Sequence, residues 1–313
     1  MALTLLEAAK LETGDVYKSG VIELYAGSSS ILTNLPFQSI SGNALKYTRE
    51  ASLPSIGFRG VNEAYSASVG ILNPLTESLV IAGGDLDVDK FIVDTMGTQQ
   101  RTVQEAMKIR ALGLSWTRKF LKGDTLSDPR EFDGLQTRVV GDQKMFAGST
   151  DGGTPLSLTV LDAAIDQTLN PTHMIMSKPM ARKFSVAART TAVSGYVTYS
   201  KDQFGQRVMQ YNDIPILTVD LDHTSTAILD FLEVSYTGGG WGGTATASSI
   251  YIVSMGSDSL TGIQNGGVDV RDLGELQTAP LYRSRVEWYN GLAAFNGRSV
   301  TRLGSISDAA IVA

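Results

Sequence analysis

The chain has no cysteine in 313 residues, so disulfides, thiolate metal sites, iron–sulfur clusters and cysteine nucleophiles are all excluded. Histidine is nearly absent too. His173 and His223 are about fifty residues apart and neither has a partner at metal-ligand spacing such as HExxH, so each reads as a structural or solvated side chain. Long apolar runs are missing: the longest are short patches such as 79–82 and 250–253, far below the length that spans a bilayer. The opening MALTLLEAAKLETGD places Glu7 ahead of any basic residue and lacks the positive and apolar regions of a secretory signal, which reads as a protein made and used in a cytoplasm. Positive charge is in the minority as well. With 26 basic and 32 acidic residues the net charge is −6, so the molecule as a whole is repelled by nucleic acid and by anionic membranes.

Nucleotide and hydrolase signatures are equally absent. There is no Gly-rich loop ending in Gly-Lys-Ser/Thr, no GxGxxG between a strand and a helix, and no GxSxG elbow. Asp85, Asp87 and Asp89 open like a calcium loop, but Lys90 stands where that loop needs Gly and Met96 where it needs Glu; they read as acids at a helix start. Glu105, Asp162 and Asp166 lie in helical segments at no spacing that singles out a catalytic pair. The residues therefore indicate no enzyme mechanism, no cofactor and no metal.

What is present is an ordinary globular composition, 42% hydrophobic and 19% charged with 32 glycines, enough for a substantial core. Ser41 to Tyr65, SGNALKYTREASLPSIGFRGVNEAY, stands apart from it. The stretch is patterned like a long hairpin with too few apolar residues to build a core of its own. A ribbon of that kind is marginal alone and gains stability from a surface it covers. Lys46, Arg49, Glu50, Arg59 and Glu63 space both signs of charge along it, which suits register-fixing contacts with a neighbouring subunit.

Elsewhere the chain reads as a succession of elements. Apolar spacing over 3–11 and 16–32 predicts one or two short helices in an N-terminal arm. Residues 67–82 carry strand features, interrupted at Asn73-Pro74 and ended by Gly83-Gly84. From Asp87 to about Lys122 two apolar stripes predict one long helix, roughly 50 Å if continuous, with Gly97 and Gly113 as places to bend. Such a helix acts as a strut between distant parts of the chain. Helices are expected over 156–169 and 178–191, the second with Pro179 in its first turn, and strands over 173–177, 195–200, 207–211, 214–219, 226–231 and 249–255. Thr237 to Thr244 reads as a loop containing GGGWGG, with Trp241 tucked onto the sheet or offered to a neighbour. Residues 267–306 alternate as long strands that return to the strut.

Three strings resemble characteristic stretches of the HK97-like major capsid proteins of tailed phages: GNALKYTREASLPSIGFRGVNEAY, FDGLQTRV and VEWYNGLAAFNGRSVTRLGSI. The order of elements resembles that family over nearly the whole chain. The resemblance implies an α+β fold with an N-terminal arm (1–39), an extended loop (40–70), a peripheral domain built on the spine helix (71–150 and 268–313) and an α/β axial domain (151–267). It implies hexamers and pentamers of one chain that form an icosahedral head around double-stranded DNA. The partners would be the chain itself, a portal, and separate scaffolding or decoration proteins, with assembly in a host cytoplasm. Lys46, Arg49, Glu50, Arg59, Glu63 and Trp241 are the candidate inter-subunit contacts. Some relatives join a loop lysine to a neighbour's asparagine; Lys46, Asn290 and Asn296 are the conceivable participants here, although no surrounding residues identify them, and the chain is read as unlinked. An encapsulin-like nanocompartment, which shares the fold and loads protein cargo, is the alternative, and an α/β enzyme with a large insertion is a rival of another class.

Overall fold

The structure is a computed structural model and describes residues 29–189, 195–201 and 207–312. The predicted helix over 3–11 and nearly all of that over 16–32 lie outside the described residues. What is described of the arm is α1 (Ser30–Asn34), which buries Ile31, and β1 (Phe37–Ser39). A hairpin of β2 (Ala44–Ser52) and β3 (Ile71–Ser78) follows, then β4 (Val80–Asp89).

Two helices come next, where one was expected. Asp89 caps α2 (Lys90–Met96) by accepting from the Phe91 N–H, and Gly97 ends it at φ +86°, a conformation that other residues adopt only at a cost. The chain restarts at α3 (Gln99–Lys122), 24 residues and about 36 Å long, unbroken at Gly113. Asp85 and Asp87 are not helix-start acids. Both lie in β4, where Asp87 pairs with Arg283 and Asp85 with Arg285 across the ladder to the next strand. Gly83 and Gly84 do not end a strand either: β4 runs through them, because the backbone of Val286 comes so close to Gly83 that a Cβ there would lie 2.2 Å from its carbonyl oxygen.

The remaining elements are α4 (Leu135–Arg138), β5 (Lys144–Phe146), α5 (Leu158–Gln167), β6 (His173–Ser177), α6 (Lys178–Ala187), β7 (Val197–Lys201), β8 (Arg207–Tyr211), β9 (Ile214–Val219), β10 (Glu233–Tyr236), β11 (Trp241–Val253), β12 (Leu260–Gln264), β13 (Asp269–Glu275), β14 (Leu281–Ala294) and β15 (Val300–Ile306). Ser177 caps α6 and Pro179 sits in its first turn, as expected. Two expectations fail here. Residues 226–231 form no strand: Asp222 accepts from the N–H groups of Thr224 and Thr226, Ser225 adopts φ +61°, and the turn drops Ile228 and Leu229 into the core. GGGWGG is not a free tip, since Trp241 already opens the 13-residue β11.

Among the described residues the strands form two large sheets and the separate hairpin. One sheet is built on β14, with β4 along one side, β13 and β12 along the other, and β1 parallel to β12. The other is mixed, ordered β5-β15-β11-β6-β9-β8-β7 with β10 on β11. Sequence order and sheet membership therefore cross: β12 lies in the first sheet and β15 in the second.

α3 sits where the two sheets meet. Its buried Trp116, Phe120 and Leu121 join Trp288 and Leu292 of the first sheet and Tyr251 and Val253 of the second in one apolar cluster. The Trp116 ring lies 5.1 Å from Phe120, 5.8 Å from Trp288 and 5.7 Å from Phe37. Polar ties extend the strut. Arg101 reaches the Ser284 hydroxyl at one end, and at the other Arg118 meets Asp222 at 2.6 Å and Lys122 meets Glu233 at 3.3 Å. A second cluster, including Phe184, Met176, Ile252 and Leu303, fills the space between the second sheet and α5 and α6.

Candidate assembly surface: a bolted hairpin with an exposed tip

The hairpin has a fixed root and an uncovered end. Its strands pair from Ala44↔Ser78 to Ser52↔Ile71, so the return strand is 71–78, past the stretch that looked like the ribbon, and it passes through Pro74 opposite Thr48. Proline is tolerated there because the ladder has only two strands and an outer edge needs no N–H. Residues 53–70 form the tip.

At the root, Glu77 is held by a bidentate pair with Arg138, at 2.6 and 2.8 Å, and Arg138 also donates to the carbonyls of Asp133 and Leu292. Tyr47 donates to the Ala294 carbonyl at 3.1 Å while its ring meets Phe295 edge-on at 4.9 Å. Burial, then the neighbouring Glu77 carboxylate, raises the Tyr47 hydroxyl above its usual range, so it stays a donor. Arg49 donates to the same Ala294 carbonyl. These contacts tie the ribbon to α4 and to the end of β14, which fixes its direction.

The tip is different. Phe58 is fully exposed, and Ile56, Val61 and Val69 are each close to 90% exposed. Its hydrogen bonds run within it: Ser68 to the Ser55 carbonyl, the Gly60 N–H to Glu63, and Arg59 to the Glu63 carbonyl, with Arg59 also over the Tyr65 ring at 5.2 Å. Six large apolar side chains, Leu53, Ile56, Phe58, Val61, Tyr65 and Val69, are thus exposed within one segment. So many large apolar side chains exposed within one short segment make it the candidate interaction surface of the described residues.

The candidate contact residues separate accordingly. Arg49 is spent at the root, and Arg59 and Glu63 shape the tip turn. Lys46 and Glu50 are exposed and form no ion pair among the described residues. Trp241 is packed within the chain. The Arg302 guanidinium lies 4.6 Å over its ring, the Lys144 ammonium 5.1 Å away, and Tyr236 meets it at 5.8 Å. Arg302 is itself buried and paired with Glu233 at 3.0 Å. Gly304 makes room for the indole, because a Cβ there would come within 2.4 Å of Trp241 Cη2. Charge spacing pointed to Lys46, Arg49, Glu50, Arg59 and Glu63, whereas the exposed apolar side chains of the tip were not singled out; their signal was the scatter of Ile56, Phe58 and Val61 without a buried face.

Asn290 is fully buried and donates to the Trp288 carbonyl, so it cannot meet a lysine from outside. Asn296 accepts the Arg298 N–H in a turn. His173 lies 3.0 Å from the Thr172 hydroxyl with its basicity lowered by burial, and His223 is exposed. Among the described residues no three His, Asp or Glu side chains gather to hold a metal, and no helix is long and apolar enough to cross a membrane.

A spine helix joining two sheets, with a projecting hairpin rooted beside it, defines the α+β fold of shell-forming proteins, the HK97-like capsid fold. The structure is similar to the encapsulin of the holo-SrpI complex from Synechococcus elongatus PCC 7942, at 16% identity and TM-score 0.64, covering 90% of this chain and 89% of that one. It is similar to the capsid of a native GTA particle at 12% identity and TM-score 0.62, covering 90% and 91%, and to a structure from Mycobacterium phage Bobi at 13% identity and TM-score 0.61, covering 88% and 89%. No protein-family model and no curated protein matches the sequence.

Proposed function

We propose that this chain is the major capsid protein of a tailed phage, assembling into the hexamers and pentamers of an icosahedral head around double-stranded DNA. The observation that carries the reading is the hairpin: held at its root through Arg138, Glu77 and Tyr47, and bare at an apolar tip that no described residue covers. A second copy of the same chain is the partner always present during assembly, and repeated modest contacts add by multivalency. In this reading the first sheet and α3 make the peripheral domain, the second sheet with α5 and α6 makes the axial domain, and the hairpin is the extended loop. Lys46 and Glu50 set its register on the neighbour. The protein is structural and catalyses nothing, is built into the virion in the host cytoplasm, meets DNA as packaged content, and works with a portal and with separate scaffolding or decoration proteins.

The encapsulin-like reading is favoured by one observation, the TM-score of 0.64 to a cyanobacterial encapsulin. Electron microscopy of the purified protein, followed by analysis of what the particles contain, tests both. Closed shells holding nucleic acid support the capsid reading, closed shells holding a bound protein support the nanocompartment, and a monomer with no higher assembly contradicts both in favour of an enzyme-like protein with an insertion.

A further inference from the structure

Two cations stand side by side on adjoining strands. Lys144 of β5 and Arg302 of β15 are register partners, and both charges lie over the Trp241 ring, at 5.1 and 4.6 Å. Like charges in neighbouring ladder positions repel, and partial burial strengthens the repulsion, so the arrangement calls for anions. Arg302 has one: it is buried and donates to the buried Glu233 at 3.0 Å. Lys144 has none among the described residues, and burial, then Arg302, lowers its ammonium below the usual range. Lys122, in the last turn of α3, comes within 3.3 Å of the same Glu233 carboxylate without donating a hydrogen bond to it. Three cations therefore share one carboxylate, a local excess of two positive charges in a chain whose net charge is −6.

The cluster lines a cleft of about 830 Å³ between the end of α3 and the second sheet. We infer that this cleft binds a phosphate group, held by the Lys144 and Lys122 ammoniums beside the Arg302–Glu233 pair. Charge selects the ligand. A phosphate carries close to two negative charges at neutral pH and matches the excess, whereas a lone carboxylate leaves one cation unmatched. Lysine binds phosphate as a point charge, so no fixed fork geometry is required of these two flexible side chains. A nucleic-acid strand suits the cleft less well. Asp124, Asp128 and Glu131 line it too, the last already paired with Lys119, and they repel a run of phosphates while leaving room for one. Arg118 adds no charge to the site, because it is spent on Asp222 at 2.6 Å. The cleft is larger than a free ion, so a phosphate ester reaches the same cations; the phosphate group is the shared chemistry.

The site lies within one chain and does not rest on shell formation. Full-length protein, dispersed or in particles, is treated briefly with an amine-acylating reagent at constant ionic strength set with sodium chloride. Modification of each lysine is then quantified by mass spectrometry with and without inorganic phosphate, and again with adenosine monophosphate and with a short oligonucleotide. The expected result is a saturable, several-fold slowing at Lys144 and Lys122 in phosphate, with Lys46 and Lys178 unchanged, and loss of the Lys122 protection in Lys144→Met. Protection by phosphate but not by the nucleotide identifies a free ion as the ligand; protection by both identifies a site open to phosphate esters. No slowing in phosphate, equal slowing at Lys46 and Lys178, Lys122 protection that survives Lys144→Met, or protection by the oligonucleotide alone overturns the assignment, whether or not shells have formed.

Discussion

Arg138 and Glu77 hold the hairpin root with side chains only 15% and 21% exposed, so their paired hydrogen bonds are largely shielded from water. Removing the guanidinium leaves Glu77 partly buried and the Leu292 carbonyl without its donor. Arg138→Ala is therefore expected to lower stability by about 2 kcal/mol, the scale of a charged hydrogen bond, as read from denaturant unfolding of dispersed protein. A double-mutant cycle with Glu77→Ala should show the two losses to be strongly coupled. Asp222 offers a pH test. Burial pushes its carboxyl up, but the Thr224 hydroxyl, the N–H groups of Thr226 and Thr224, and Arg118 together hold it well below the usual carboxylate range. The folded state thus keeps Asp222 ionised at pH values where the unfolded chain has taken up the proton. Its stabilisation is complete above the ordinary carboxylate range of the unfolded chain and is lost as pH falls from that range through the depressed folded value. Asp222→Asn should flatten this acid limb of a stability–pH curve and lower stability at neutral pH; a limb of unchanged steepness would remove Asp222 from the account.

At the scale of elements, most of the strut and many strands were legible in the sequence because their apolar positions follow a period, as with the stripe Ile109, Leu112, Trp116 and Phe120, although the break at Gly97 was read only as a place to bend. Partner-dependent features were not. Asp85 and Asp87 look like helix-start acids until Arg285 and Arg283, about two hundred residues on, are brought opposite them. Gly83 reads as a strand end because its neighbour Val286 is invisible in the local string. The hairpin was recognised but its return strand was sought within 41–65, while 71–78 was read as part of a separate strand segment, 67–82, interrupted at Asn73-Pro74. Trp241 was legible only as an alternative, decided by Gly304 and Arg302 far along the chain. The separation of root and tip makes a direct prediction. Replacing residues 56–65 by a short Gly-Ser link should leave the unfolding midpoint of dispersed protein within about 0.5 kcal/mol of the parent, because the segment buries nothing, while abolishing particles in negative stain. Loss of folding, or particles formed as before, would contradict the division of labour.

At the scale of the whole molecule, one apolar cluster spanning both sheets makes the body a single stable unit, and the tip is what remains unfinished. In the proposed assembly the tip carries the connection, so stability of the subunit and stability of the assembly can be changed separately. With a net charge of −6, copies of the chain repel weakly at low salt and approach more readily as salt screens them, so the proposed assembly is one driven by apolar contact more than by charge. Amide hydrogen exchange along residues 53–70, compared between dispersed chains and assembled particles, tests the central claim most directly. The account predicts exchange at nearly unprotected rates in dispersed chains and slowing by about a hundredfold or more in particles, equivalent to at least roughly 2.7 kcal/mol of protection. Equal exchange in both states, or strong protection already present in a solitary chain, would contradict it.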